Sequence, residues 1–490
     1  MSALFPFHGG LKTVRHKTES NTLPIEPGPL PRRLIVPLRQ HMGNAAKPCV
    51  QAGDRVLKGQ MIGQADGYIS AAVHAPSSGV AAAVDLQPIP HPSGLADLCV
   101  TIETDGEDRW IERQPLDHRH LHPSDLRNAL RNAGVVGLGG AVFPSAVKLN
   151  PGGHCERVET LILNGAECEP WITCDDRIMR ERAADIVAGL AIMAHLLEPR
   201  EALIGIEEED KPEAVAAMTA ACAGTGYEVR VVPTRYPSGS VKQLVFLLTG
   251  REIPDQGLPL DIGVQCFNVA TAYTVQRAIA HGEPVISRVV TVTGHVQRPR
   301  NIDALLGTRF ADLVAQCSGY RDGVERLIMG GPMMGFALHG DDVPVTKATN
   351  CILAASAGQL TPEQPVMPCI RCGACVDACP ALLLPQQLYW FARAKEFDKA
   401  RDHHLFGCIE CGCCSYVCPS HIPLVQYYRY AKNEIWARDK EKEKAELARQ
   451  RHQARQERLE REKQEREAKL RQKAPPRAAE TVVEAADREG

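Results

Sequence analysis

Two runs of closely spaced cysteines are the residues of this chain best suited to chemistry. Both runs have the spacing C-x-x-C-x-x-C-x-x-x-C-P, and together they occupy residues 369–419. Three such thiolates can bind one face of an iron–sulfur cubane, while the fourth, one helical turn further on, points away from it. The spacing therefore predicts two [4Fe–4S] clusters with crossed ligation. One predicted set is Cys369, Cys372, Cys375 and Cys418, and the other is Cys408, Cys411, Cys414 and Cys379.

Zinc and disulfide bonds are the alternative uses of these thiols. Structural zinc usually takes paired C-x-x-C motifs that pool four ligands, not two triplets that are each followed by Cys-Pro. Disulfide frameworks are typical of small secreted chains, whereas this chain has 490 residues and 18 cysteines. The spacing favours iron–sulfur clusters over both alternatives. Cys413 has no place in this scheme, and we interpret it as a bystander thiol.

The length and composition of the chain predict several domains around these cysteines. A chain of 490 residues is long enough for about three domains with substantial cores. The net charge of −3 gives no indication of nucleic-acid binding. The N-terminus lacks the pattern of a signal peptide, and the longest apolar stretch, residues 186–197, is too short to span a bilayer. We therefore expect any membrane association to depend on partner subunits.

The sequence of the N-terminal part of the chain predicts an extended arm followed by a small β domain. Residues 1–30 are rich in Gly, Pro and Thr, which is typical of an extended arm. Across residues 31–115, short apolar strands alternate with Gly-Asp and Pro-Ser-Ser-Gly turns, which predicts a β barrel–sandwich similar to the lipoyl/biotinyl type. Carrier domains of that type display a lysine on a hairpin, but residues 64–70 contain none. We therefore expect a structural role for this domain.

Residues 120–280 alternate helical patterns with buried strands, which predicts an α/β domain. Gly137, Gly139 and Gly140 precede a helical stretch that carries Lys148. Glycines let the backbone approach a phosphate closely, and a helix N-terminus supplies N–H donors. The spacing differs from the dinucleotide and P-loop fingerprints, so a loop without a ligand is the alternative interpretation.

Polar residues follow two of the predicted strands in this α/β domain. One buried strand runs into Asn164-Gly-Ala-Glu-Cys-Glu-Pro, which contains Glu167 and Glu169, and Asn268 follows another strand. Ligands of α/β sheets lie at the ends of the strands. The sequence therefore predicts a ligand site at this edge.

The remaining segments complete a multidomain α/β and α+β chain. Residues 285–345 predict a β-grasp module of the soluble-ligand-binding type, in which the Gly/Met-rich residues 329–335 form either a ligand loop or a tight turn. The predicted two-cluster ferredoxin-like domain covers residues 360–430. Residues 432–490 form a charged helical or disordered tail. Its mild basic excess fits an anionic membrane surface, a protein partner or no defined partner.

These features resemble two related families. The Gly-rich turn, residues 164–170 and residues 239–244 resemble, in this order, the flavin- and NADH-binding subunit of respiratory complex I. Residues 1–430, with the barrel–sandwich start and the paired cysteine runs, resemble the RnfC/RsxC family of the Rnf/Rsx electron-transport complex still more closely. The resemblance implies FMN-binding roles for Gly137, Gly139, Gly140, Lys148, Asn164, Glu167, Glu169 and Asn268.

The resemblance implies an electron-transfer subunit of an ion-translocating oxidoreductase. FMN would exchange a hydride with NADH, and two [4Fe–4S] clusters would carry single electrons between the flavin and membrane-bound subunits. Ferredoxin or flavodoxin would be a further electron partner. The implied location is the cytoplasmic side of the cell inner membrane, as a peripheral subunit. Ion translocation is expected in other subunits, and no catalytic residue is assigned.

Residues at two places in the chain depart from the complex I pattern and favour other functions. Ala166 stands where complex I has an aspartate, and Ser240 and Val241 stand where it has a pair of glutamates. The missing carboxylates favour an electron-relay adaptor without a nucleotide site. A soluble flavin–iron–sulfur reductase is the second alternative.

Overall fold

The computed structural model describes residues 4–152, 157–209, 211–359 and 364–473. The chain divides into two compact units, residues 1–428 and 429–490. The N-terminal segment of the first unit is largely irregular and contains one short strand, β1 (Glu26–Pro27). In the described ranges, no helix is both long and apolar enough to cross a bilayer.

A small β domain follows the N-terminal segment and has its own apolar core. Its strands form two sheets, in the orders β2-β8-β7-β4 and β3-β5-β6. Residues 34–37 and 99–102, which lie in two paired strands, are continuously buried, and several of them belong to this core. The strands are β2 (Arg33–Pro37), β3 (Lys47–Pro48), β4 (Arg55–Val56), β5 (Met61–Gln64), β6 (Val73–His74), β7 (Gly79–Pro88) and β8 (Ala96–Thr104).

An α/β domain with a four-stranded parallel sheet forms the centre of the first unit. Three of its strands are almost wholly buried, as expected where helices cover both faces of a sheet, while the strand at one edge, residues 228–232, alternates charged and apolar residues. The elements, in chain order, are α1 (Pro123–Asn132), α2 (Ser145–Lys148), β9 (Thr160–Gly165), α3 (Cys174–Glu181), α4 (Ala183–Leu197), β10 (Glu201–Glu207), α5 (Pro212–Ala221), β11 (Glu228–Val232), α6 (Val241–Thr249), β12 (Val264–Asn268) and α7 (Val269–Ala280).

Helices α4 and α7 pack against each other at very short range. A Cβ atom added to Gly189 of α4 would lie 1.9 Å from the backbone oxygen of Ala272 in α7. Only glycine permits this approach without a backbone shift. Most residues of α4 are buried, so the apolar stretch of residues 186–197 belongs to a core helix.

A six-stranded mixed sheet follows in the order β1-β14-β13-β17-β15-β16. Its elements are β13 (Ser287–Gly294), β14 (Arg300–Leu305), α8 (Phe310–Gln316), β15 (Val324–Met329), β16 (Phe336–Leu338) and β17 (Cys351–Ser356). The predicted β-grasp range of residues 285–345 misses two strands of this sheet, β1 and β17. Both pair with strands distant in sequence, and local patterns carry no sign of such pairing.

The cysteine-rich part of the first unit contains four short helices and the start of a long one. They are α9 (Ala374–Asp377), α10 (Pro385–Arg393), α11 (Phe397–Asp402), α12 (Cys413–Tyr416) and α13 (Leu424–Lys473). In residues 429–473, the described part of the second unit, α13 continues and is rich in exposed charged side chains. This agrees with the predicted helical tail up to residue 473, and the prediction for residues 474–490 lies outside the described residues.

Candidate functional site

The carboxyl edge of the parallel sheet contains a topological switch point. The strand order is β11-β10-β9-β12, so the chain moves from β9 to one side of the sheet and later returns to the other side. The crevice at such a point is where open α/β sheets bind ligands. Asn164 and Asn268 are register partners at the ends of β9 and β12. The structure therefore brings two of the predicted site residues together at the crevice.

Both asparagine side chains fix the backbone around this crevice. The Asn164 amide donates to the backbone oxygen of Gly239 at 2.8 Å and accepts from the Ala166 N–H at 3.1 Å. Asn268 caps α7 by accepting from the Ala270 N–H at 2.9 Å. Its amide nitrogen also donates to the carboxylate of Asp175. These contacts hold three separate segments at one point of the sheet edge.

The Gly-rich turn lies at the same edge, beside the start of α7. It is closed by hydrogen bonds between Gly137 and Phe143 and between Val142 and Gly137, at 2.9 and 3.1 Å. A Cβ atom added to Gly139 would lie 3.2 Å from Cβ of Asn268. Gly140 has a φ of +107° with open space around it, and both Gly139 and Gly140 are exposed. The turn thus offers bare backbone next to the crevice, which suits the phosphate of a flavin nucleotide.

Lys148 points toward β12 at the end of the one-turn helix α2. Its ammonium donates to the backbone oxygen of Cys266 and lies 4.4 Å from the centre of the Phe267 ring. Removal from water lowers the pKa of Lys148. The structure therefore places Lys148 against the strand that ends at Asn268.

Glu167 binds the N-terminus of α3. Its carboxylate accepts from the Asp175 and Asp176 N–H groups at 2.7 and 3.2 Å. Removal from water raises the pKa of Glu167 to about 8, although Lys17 opposes the shift. The side chain of Glu167 therefore caps the backbone at the start of α3.

Glu169 binds the Gly/Met-rich loop of residues 329–335. Its carboxylate accepts from the Met333 and Met334 N–H groups at 2.7 and 3.0 Å. Removal from water raises the pKa of Glu169. The loop therefore contacts the acidic segment and is not a turn isolated from the site.

The eight cysteines of the two runs line two separate cavities. One is lined by Cys379, Cys408, Cys411 and Cys414, together with the bystander Cys413, and the other by Cys369, Cys372, Cys375 and Cys418. These are the groups that the spacing predicts for crossed ligation, and four thiols around one cavity are the donors that an iron–sulfur cubane requires. We name the first set the inner cysteines and the second set the outer cysteines, because Cys372 of the second set is exposed while Cys411 and Cys414 are buried.

Direct hydrogen bonds join the inner cysteines to the sheet edge. The Tyr236 hydroxyl donates to the backbone oxygen of Cys411 at 2.6 Å. Three residues further along the chain, Gly239 accepts from Asn164 and donates to the thiol of Cys168 at 3.2 Å. Gln243 donates to the backbone oxygen of Pro380 at 3.2 Å. Residues 236–239 therefore contact both the crevice, through Asn164, and the inner cysteines, through Cys411.

Two buried lysines lie at this site that no sequence pattern indicates. Lys17 lies in the predicted arm, and its ammonium contacts the acidic segment of residues 166–172. Lys211 donates to the backbone oxygen of Ala166 at 2.7 Å and to the carboxylate of Glu207 at 2.9 Å. Neither lysine belongs to a motif, and only tertiary contacts reveal their positions.

Four family models match consecutive parts of the chain. Residues 5–107 match the RnfC barrel sandwich hybrid domain, and residues 130–277 match the Nuo51 FMN-binding domain. Residues 289–337 match the SLBB domain, and residues 368–422 match the 4Fe-4S dicluster domain. These matches confirm the predicted fold classes and the predicted FMN and iron–sulfur domains.

Curated relatives match most of the chain. It is 49% identical over 458 residues to the C subunit of the ion-translocating oxidoreductase complex from Pseudomonas aeruginosa, covering 93% of this chain and 59% of the relative. It is also 49% identical to the protein of that name from Serratia proteamaculans, covering 92% and 64%. The chain thus spans about three fifths of the length of these relatives.

A solved structure also resembles the chain. A chain of an NAD+-reducing [NiFe]-hydrogenase in the air-oxidized state aligns with a TM-score of 0.44 and 17% identity over 63% of each chain. A likeness of this size supports no conclusion about function.

Proposed function

Because the chain belongs to the family of the C subunit of the ion-translocating oxidoreductase complex, we propose that it is an electron-transfer subunit of such a complex. It would pass electrons between NADH and membrane-bound partner subunits through FMN and two [4Fe–4S] clusters, with ferredoxin or flavodoxin as a further electron partner. The proposed location is the cytoplasmic face of the inner membrane, since NADH is a cytoplasmic reductant.

The observation that carries this proposal is the hydrogen-bonded connection between the crevice and the inner cysteines. When bound, FMN takes up two electrons together and releases them singly. The Gly137–Phe143 turn would accept its phosphate beside Asn164 and Asn268, which lie side by side at the ends of β9 and β12. Tyr236, which lies beside this crevice, donates a hydrogen bond from its hydroxyl to the backbone oxygen of Cys411 at 2.6 Å. Electrons would thus pass over a short covalent and hydrogen-bonded path.

The eight cysteines would act as the metal ligands. The inner cysteines would hold the cluster nearer to the crevice, because residues 236–239 contact both. The outer cysteines would hold the second cluster near the protein surface, where Cys372 is exposed. Electrons would leave for a partner subunit, or arrive from it, at this second cluster.

An electron relay without a nucleotide site is the second candidate function. Ala166 supplies no carboxylate, and Glu167 and Glu169 already accept hydrogen bonds from backbone N–H groups. These contacts leave few acidic groups for a nicotinamide ribose.

Cofactor analysis after anaerobic purification separates the two functions. We expect about eight iron atoms per chain, a flavin absorption spectrum and bleaching on addition of NADH. A protein with eight irons that takes up no FMN would instead be a relay. Co-purification with membranes tests the proposed partners, because a soluble reductase would remain in the supernatant.

A further inference from the structure

The ammonium of Lys17 is buried and makes all of its hydrogen bonds to backbone oxygens. It donates to Glu167, Glu169 and Ile172 at 2.7, 2.7 and 2.6 Å. An ammonium has three donors, so these three oxygens satisfy it completely. Lys17 is only 5% exposed. A buried charge is costly unless it is hydrogen-bonded. The buried ammonium of Lys17 therefore depends on residues 167–172 keeping the conformation that presents these three oxygens.

That segment has an unusual backbone which needs external support. Glu167 and Trp171 have φ angles of +46° and +73°, a region that residues other than glycine enter at a cost. His16 stacks on the Trp171 ring with centroids 4.0 Å apart, and the Arg15 oxygen accepts from the Trp171 N–H at 2.8 Å. Residues 15–17, which we name the strap, therefore hold both strained positions.

The strap belongs to a different part of the chain from the segment that it holds. Lys17 lies within residues 5–107, matched by the barrel sandwich domain, whereas the segment lies within residues 130–277, matched by the FMN-binding domain. The segment begins just after Asn164, at the crevice between β9 and β12. Any movement of its backbone would change the wall of that crevice.

We propose that Lys17 is a positioning residue for the nucleotide site, holding residues 167–172 in the conformation that binds the flavin nucleotide. The inference rests on the proposed function. Lys17 would act through the backbone oxygens that it binds. An N-terminal residue outside the FMN-binding domain thus completes its site.

The test compares Lys17→Met with Lys12→Met, which makes the same change at an exposed position of the same arm. Hydrogen exchange of the flavin-free proteins reports on residues 165–173, and flavin fluorescence titration gives the Kd for FMN. For Lys17→Met we expect faster exchange in that segment and FMN binding weakened about tenfold or more, since hydrogen bonds to a charged group are lost. Lys12→Met should match the wild type in both measurements, and iron content should be unchanged in both variants.

His16→Ala provides a second variant that leaves the buried charge in place. Losing the stack on Trp171 should weaken FMN binding about threefold and should quicken exchange in the same segment. Wild-type exchange in Lys17→Met, or faster exchange with unchanged FMN affinity, would show that Lys17 does not position the site. If the wild type itself binds no FMN, both the inference and the proposed function are wrong, and the flat wild-type titration identifies that case.

Discussion

The hydroxyl of Tyr236 donates a hydrogen bond to the backbone oxygen of Cys411, 2.6 Å away. Tyr236 is 3% exposed and lies in a small apolar cluster with Cys168, Met333 and Cys413. The bond joins the α/β domain to the loop that we propose to bind the inner cluster. Its loss should therefore affect one cluster and leave the other unchanged.

Tyr236→Phe removes this hydrogen bond and keeps the ring. Hydrogen bonds around a cluster stabilise its more negative, reduced form. The bond is made to a backbone oxygen in both redox states, so its total strength of about 1 kcal/mol limits the expected fall in the reduction potential of the inner cluster to roughly 40 mV or less. Potentiometric titration followed by electron paramagnetic resonance would measure both clusters. Equal shifts in both signals, or none, would contradict the separate roles of the two cavities.

Cys379→Ala tests the crossed ligation directly. Cys379 belongs to the first cysteine run but lines the cavity of Cys408, Cys411 and Cys414. We expect the variant to lose or destabilise the inner cluster while the signal of the outer cluster persists. Electron paramagnetic resonance and iron content provide the measurement. Loss of the outer cluster alone would show that each run binds its own cluster.

Cys413→Ala is the matched control for that experiment. Cys413 also lines the inner cavity and is fully buried, but it has no place in the ligand spacing. Both clusters should remain at full iron content in this variant. A lost cluster would make Cys413 a ligand.

Gly139→Val should weaken flavin binding without affecting the clusters. Its Cβ atom would lie 3.2 Å from Cβ of Asn268, and the branched side chain would cover the backbone that approaches the phosphate. We expect at least about a tenfold weaker FMN Kd, since overpacking typically costs more than 1 kcal/mol. Gly340→Val, at a position with open space around it, is the control. Equal FMN affinity in both variants would remove the Gly-rich turn from the site.

His74 should make the β domain sensitive to acid. It is buried, and burial together with Lys347 lowers its pKa to about 3, compared with an ordinary value near 6.5. Between these values the unfolded chain binds more protons than the folded one. The stability that depends on neutral His74 is therefore fully present above about pH 6.5. The free energy of unfolding falls as the pH decreases from there toward 3.

Urea unfolding at pH 7.0 and 5.5 measures this effect. The wild type should lose about 1 kcal/mol more between these pH values than His74→Gln. His91→Gln, at an exposed position of the same domain, should behave like the wild type. The same pH dependence in wild type and His74→Gln would show that His74 is not responsible.

Local patterns predict the order of the domains that the family models match and the position of Asn164 and Asn268 at one edge of the sheet. Parallel strands end at one edge of their sheet, so Asn164 and Asn268 were expected near each other, and the structure makes them register partners. The cysteine groups also follow from spacing, because the third cysteine of each run lies in a one-turn helix and the fourth follows just after that helix.

Contacts between distant segments were not predictable in this way. Lys17 is a single lysine in an irregular segment, and nothing in its neighbours indicates that it binds carbonyls 150 residues away. Strand β17 joins its sheet between β13 and β15, which no short-range pattern reveals. Tyr236 shows the same limit, because its partner Cys411 lies 175 residues further on.

The N-terminal segment also links the order of synthesis to the order of folding. Gly10 donates to the backbone oxygen of Ala378, and β1 pairs with β14, which starts at Arg300. Gly10 and β1 therefore reach these partners only after hundreds of further residues have been made. Because domains fold as units during synthesis, we expect the N-terminal segment to pack onto domains that have already formed.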